Sequence, residues 1–162
     1  MITSLKKLKN MLHGTDGSIK LYLYVVSSLA HTKGVVMPNW CENNLTVVGP
    51  EEKLTAFVAH VADGKEAISF NKTVPEPFEK SEYLTDSQHD WRLENWGAKW
   101  DVHDVDVVEN PGCYDYSFMT AWTPPIPWLE RMAKEWPDLE FYLKYDEPGM
   151  EIHGVWCRAM IR

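Results

Sequence analysis

The spacing of apolar residues in this chain changes period at defined points, and the order of those changes limits the folds open to it. Leu45 and Val47 alternate with Asn44 and Thr46, the period-two signature of a half-buried strand over 42–49 that Gly49-Pro50 ends. The period then becomes helical. Pro50 opens a helix, Glu51 and Glu52 complement its dipole, and Leu54, Phe57, Val58, Val61 and Ala62 form one stripe that stops near Gly64. Residues 67–71 suggest a short strand. Val74-Pro75-Glu76-Pro77 cannot continue regular structure, and 72–100 reads as a long aromatic and polar insertion with a helical turn near 88–95.

Alternation resumes at 102–109, with His103, Val105 and Val107 on one face and Asp104 and Asp106 on the other. Asn110-Pro111-Gly112 signals a turn, and 114–122 alternates again, so the pair predicts a hairpin. After Thr123-Pro124-Pro125, Ile126, Leu129, Met132, Ala133 and Trp136 mark a second helix over 127–136, which Pro137 ends. Strands over 139–145 and 151–161 follow around Pro148-Gly149, the last with Val155, Cys157, Ala159 and Ile161 aligned. This β-α-(β)-insertion-β-β-α-β-β order predicts an α+β, ferredoxin-like split βαβ antiparallel sheet with two helices on one face and a long insertion.

Charge divides the chain. Residues 1–36 carry five Lys and one acid, net +4, whereas 37–162 carry 11 Lys and Arg against 23 acids, net −12; all 8 Trp and all 10 Pro lie after Met37. The break predicts an N-terminal extension at 1–36 and a domain at 37–162. Three readings compete for the extension. It is a secretory signal with Lys6, Lys7 and Lys9 before an apolar 21–29, or an edge strand over 18–28, or an over-called start. The third is the expectation. Lys33-Gly34-Val35 can be encoded AAA-GGA-GTN, a purine-rich ribosome-binding site just upstream of an ATG at Met37. Acidity disfavours binding to nucleic-acid phosphates, and the sequence has no apolar run long enough for a spanning helix.

Three segments carry a resemblance: Met37-Pro38-Asn39-Trp40-Cys41-Glu42-Asn43, Asn95-Trp96-Gly97-Ala98-Lys99-Trp100-Asp101 and Thr120-Ala121-Trp122-Thr123-Pro124-Pro125. In this order they resemble the YubB-like ferredoxin-like domain family of phage- and plasmid-borne bacterial proteins. Ala98 stands where that pattern has Thr, and Thr123 where it has Ser. Such proteins usually begin at the Met-Pro-Asn-Trp segment. The resemblance implies a ferredoxin-like fold and a mobile-element origin, and it transfers no functional residues.

The same motifs supply the candidate site: Asn39, Trp40, Glu42, Asn43, Asn95, Trp96, Lys99, Trp100, Asp101, Thr120 and Trp122. If the strand ends and the insertion converge, these residues form a ligand pocket or an aromatic hot spot for a partner. The competing reading is that the indoles only pin the insertion to the sheet. Asp101, Asp104, Asp106 and Glu109 lack metal-site spacing and read as a solvated face. Cys41, Cys113 and Cys157 fit neither zinc nor a redox pair, and nothing in the spacing selects His60, His89, His103 or His153 as a base for Cys41. No phosphate-binding glycine loop occurs, and no cofactor is expected.

The expectation is therefore an acidic, non-enzymatic binding module in a bacterial cytoplasm, acting on a host protein, without membrane or nucleic-acid contacts. The alternative is a small-ligand binder or enzyme using a Trp-lined pocket, with Glu42, Lys99 or Asp101 as polar groups. A purely structural domain of a larger assembly is a third reading.

Overall fold

The structure, a computed structural model, describes residues 39–79 and 84–159. The expectations for 1–36 lie outside those residues. Among the described residues, five strands, β1 (Trp40–Val48), β2 (His103–Asn110), β3 (Cys113–Ala121), β4 (Glu140–Glu147) and β5 (Ile152–Arg158), form one sheet in the order β2-β3-β1-β4-β5. Every neighbouring pair is antiparallel. β1 and β2 thus run parallel with β3 between them, the split βαβ arrangement, and β5 extends the sheet beyond β4. Four helices, α1 (Glu51–Val61), α2 (Phe70–Thr73), α3 (Asp86–Asn95) and α4 (Ile126–Glu135), complete the elements of the described residues.

The period-two pattern assigns the faces. On β1, Cys41, Asn43, Leu45 and Val47 are buried while Glu42 and Asn44 are exposed. Leu54, Phe57 and Val61 of α1 and Trp128, Leu129 and Met132 of α4 join Leu45, Val47, Phe118, Phe141 and Leu143 in a single core, so both long-range crossover helices cover the same face. Each large side chain buried there contributes about 1.5–3 kcal/mol.

Two expectations need correction. Residues 67–71 do not form a strand. Ser69 accepts the Lys72 amide and starts the one-turn α2, because Asp101 supplies acceptors to its free amides from 30 residues away. On β2, His103 does not share a face with Val105 and Val107. The register shifts between His103 and Asp106, with Asp104 at φ 49°, and His103 pairs with Met119 on the open face while Val105 packs on the core. On β5, Val155 and Cys157 do share one face, as expected; it is the face away from the core, and the inward residues are Ile152, Gly154 and Trp156.

The insertion is pinned by polar contacts. A capping box of Thr85 and Gln88 starts α3. Arg92 grips Glu76 through two bonds of 2.9 and 2.8 Å. The indole N–H groups of Trp96 and Trp128 donate to Val74 O and Thr73 Oγ1 at 2.8 and 2.7 Å.

The face opposite the helices has rows that read directly from the register. One crosses His103, Met119, Glu42, Asp146 and His153; the next crosses Asp106, Ser117, Asn44, Lys144 and Val155; a third crosses Val108, Asp115, Thr46, Tyr142 and Cys157. Four carboxylates and one ammonium lie in these three rows.

Candidate functional site

Antiparallel pairing fixes which strand ends meet. Trp40 pairs with Ala121, and His103 pairs with Met119, so the start of β1, the end of β3 and the start of β2 share one end of the sheet. The insertion returns to the sheet there as well. Trp40 alternates with the buried Cys41 and therefore sits on the open face. Its ring centroid lies 4.9 Å from that of His103, edge to face, and 6.3 Å from that of Trp100. Trp100 and His103 are 6.3 Å apart. The Lys99 ammonium lies 5.0 Å from the Trp100 centroid and 5.3 Å from that of Trp122, a double cation–π contact.

All three indoles are partly exposed, Trp122 at 38%. Trp122 also has a left-handed backbone, φ 79°, held by its N–H donating to Asn39 O at 2.9 Å. Such a conformation costs a bulky residue on the order of 1–3 kcal/mol and is concentrated at functional positions.

Not every motif residue joins this cluster. Trp96 is 2% exposed and packs against Phe70 and Trp91 in the core. Asn95 donates to Trp91 O within its own helix. Asp101 is a structural acceptor for the Phe70 and Asn71 amides, the Ser69 hydroxyl and the Val102 amide. Asn43 is buried, donates to Cys41 O and Thr120 Oγ1 at 2.9 Å each, and leaves Oδ1 with no hydrogen-bond partner among the described residues. Thr120 passes the chain of bonds on to Thr123 O. Glu42 stands exposed beside Asp146, and Asn39 is exposed at the head of β1. The structure thus brings Trp40, Lys99, Trp100 and Trp122 together, sets the Asn39 carbonyl on the Trp122 amide and leaves Glu42 elsewhere on the open face, while Asn43, Asn95, Trp96, Asp101 and Thr120 make contacts within the fold.

One member of the cluster, His103, was not among the expected site residues, and one buried acid, Glu147, was not expected in the fold. His103 enters through the β2 irregularity. Glu147 is 1% exposed and accepts the Gly149 and Met150 amides at 2.9 and 2.6 Å, which closes the β4–β5 turn. Its signal was the continuation of the alternation Phe141, Leu143, Tyr145 by one more step.

Asp101→Ala strips acceptors from several groups at once. The expected cost is about 2–3 kcal/mol in a urea titration, with Asp101→Asn intermediate.

Cys41 is not an activated nucleophile. Burial, reinforced by the nearby Glu147 charge, pushes its thiol from an ordinary 9.0 up to about 12. Burial likewise raises the Tyr116 phenol, whose hydroxyl has no hydrogen-bond partner among the described residues. The folded chain keeps protons that the unfolded chain releases, so stability is complete below about pH 9 and declines as the pH rises from 9 towards 12. Urea midpoints measured across that range should fall, and Cys41→Ala should flatten the slope. Tyr116→Phe should remove a further part and raise stability at neutral pH by about 1 kcal/mol.

Among the described residues, no three His, Cys, Asp or Glu side chains are placed to hold a metal ion. Two hollows are shallow and open. One of about 220 Å³ lies on the open face between Glu42, Asn44, Asp104, Ser117 and Met119, and one of about 350 Å³ lies at Glu51, Glu109, Asn110 and Pro111. Neither is lined by a tryptophan.

Residues 95–158 match a family model described as a ferredoxin-like domain in Api92-like protein. The chain contains a ferredoxin-like domain. The matched stretch runs from the last residue of α3 through β5, and β1 and α1 complete the same sheet and core outside it. No curated protein and no solved structure matches the chain. No helix among the described residues is long and apolar enough to cross a membrane.

Proposed function

We propose that this ferredoxin-like domain is a non-enzymatic protein-binding module of phage or plasmid origin that acts in the bacterial cytoplasm on a basic surface of a host protein. The observation that carries this reading is the convergence of Trp40, Trp100, Trp122, Lys99 and His103, from separated parts of the sequence, into one partly exposed cluster. Large amphipathic rings at an accessible spot are the usual anchors of protein interfaces. The acidic rows beside the cluster supply long-range attraction for a partner rich in Lys and Arg, and they speed encounter more than they tighten the complex. A host protein that handles nucleic acid presents such a surface. The likeness of the three tryptophan motifs to YubB-like proteins supports the mobile-element origin and, with it, a host target.

The small-ligand alternative has less support, because the indoles pack on one another and on Lys99 rather than walling either hollow. The test is capture of host proteins on the full chain, beside an unrelated acidic domain. A basic protein should be enriched on this chain and lost with Trp122→Ala and with Glu42→Lys, while both variants keep the wild-type melting profile. Equal capture by the acidic control, or no effect of either variant, would defeat the proposal. A metabolite that raises the melting temperature of the wild type but not of Trp100→Ala would favour the ligand reading instead.

A further inference from the structure

The two edges of the sheet differ in how they are guarded. β2 carries the devices that keep an edge from pairing: a register irregularity, Asp104 in a left-handed conformation, and three acids, Asp104, Asp106 and Glu109. Two copies of β2 brought together would crowd six carboxylates along a broken ladder. β5 has none of these features. Its seven residues pair with β4 without a break, from Arg158 opposite Phe141 to Ile152 opposite Glu147. It contains no acid, no proline and no lysine. At its midpoint stands Val155, 72% exposed.

We infer that β5 is a self-association edge, and that a second copy of this chain adds to it antiparallel about a two-fold axis at Val155. The axis at the strand's midpoint lets all seven residues of each copy take part. Val155 then faces Val155 of the other copy, His153 faces Cys157, Gly154 faces Trp156 and Ile152 faces Arg158. No pair opposes like charges, and the central Val155 pair takes exposed apolar surface out of water. The outer backbone groups of β5, which pair with no strand among the described residues, gain partners, and the open faces of the two sheets join into one surface. This would present two aromatic clusters per assembly, but the inference stands on the edge alone and does not need the host-binding reading.

Sedimentation velocity on the full chain over a wide concentration range reads the outcome. The wild type should convert from monomer to dimer as concentration rises. Val155→Lys places two ammonium groups opposite each other at the axis and should raise the dissociation constant at least about tenfold, with the melting profile unchanged at dilutions where the wild type is monomeric. A second measurement fixes the register. In His153→Cys, mild oxidation should yield a disulfide joining position 153 of one copy to Cys157 of the other; within one strand these positions are about 13 Å apart and cannot bridge. A wild type that stays monomeric at all concentrations would overturn the inference. So would a dimer untouched by Val155→Lys, or one whose oxidised form lacks the 153–157 link.

Discussion

Trp96→Ala should destabilise the domain by about 3–5 kcal/mol and lower its melting temperature by roughly 10 °C or more. Two losses combine. The first is the cavity left by an indole that is 2% exposed and packed against Phe70 and Trp91. The second is the bond from the indole N–H to Val74 O at 2.8 Å, which leaves a buried carbonyl without its donor. Trp96→Phe separates them, since it keeps most of the ring and loses the bond. The informative comparison is Trp122→Ala. The same residue type, 38% exposed, should change stability by less than about 1 kcal/mol. Calorimetry of the two variants side by side checks whether the motif tryptophans divide into one that builds the fold and others that face outward. Equal losses would remove the basis for a binding cluster.

Gly97→Ala should cost about 3 kcal/mol or more, unusual for adding one methyl group. At φ +83° an L side chain is strained. The added carbon would also lie 2.5 Å from Pro127 Cδ and 2.9 Å from Pro124 O, and neither a proline ring nor a backbone carbonyl yields cheaply. Gly112 provides the control. Its φ is +78°, but nothing lies within 4 Å of an added Cβ, so Gly112→Ala reads the backbone term alone, about 1 kcal/mol. The difference between the two variants in urea unfolding is the clash. A difference near zero would mean that the start of α4 can move away from the insertion. The Thr123 hydroxyl bond to Gly97 O at 2.5 Å argues against that freedom.

Apart from β2, the strands and the two crossover helices were legible because their sequences carry a single period each. Leu45 and Val47 on β1 and Phe141 and Leu143 on β4 alternate without interruption, and the Leu129, Met132, Ala133 spacing of α4 admits no other reading. What escaped depended on contacts across long stretches of chain. The helical turn at Phe70–Thr73 exists because Asp101 reaches it, and alternation of Ile68 with Phe70 gave no hint of that. The β2 irregularity that turns His103 towards Trp40 resides in the backbone of Asp104, an ordinary residue at an unusual angle.

The candidate site was half legible. Trp96 and Trp100 stand four residues apart, each beside polar neighbours, yet one is sealed and the other open. Their fates separate because Trp96 follows α3 and is directed into the core by its bond to Val74, while Trp100 lies past the left-handed turn at Gly97. Local composition does not encode that difference.

The helices all but exhaust one side of the sheet, and the other side contributes little to cohesion. Exchanging exposed residues such as Glu42, Asn44, Ser117 or Lys144 should leave stability within about half a kcal/mol in most cases. Mutation is therefore nearly free to redraw that surface while the framework beneath it stays put. The sequence there can drift one side chain at a time without first passing through a poorly folded ancestor.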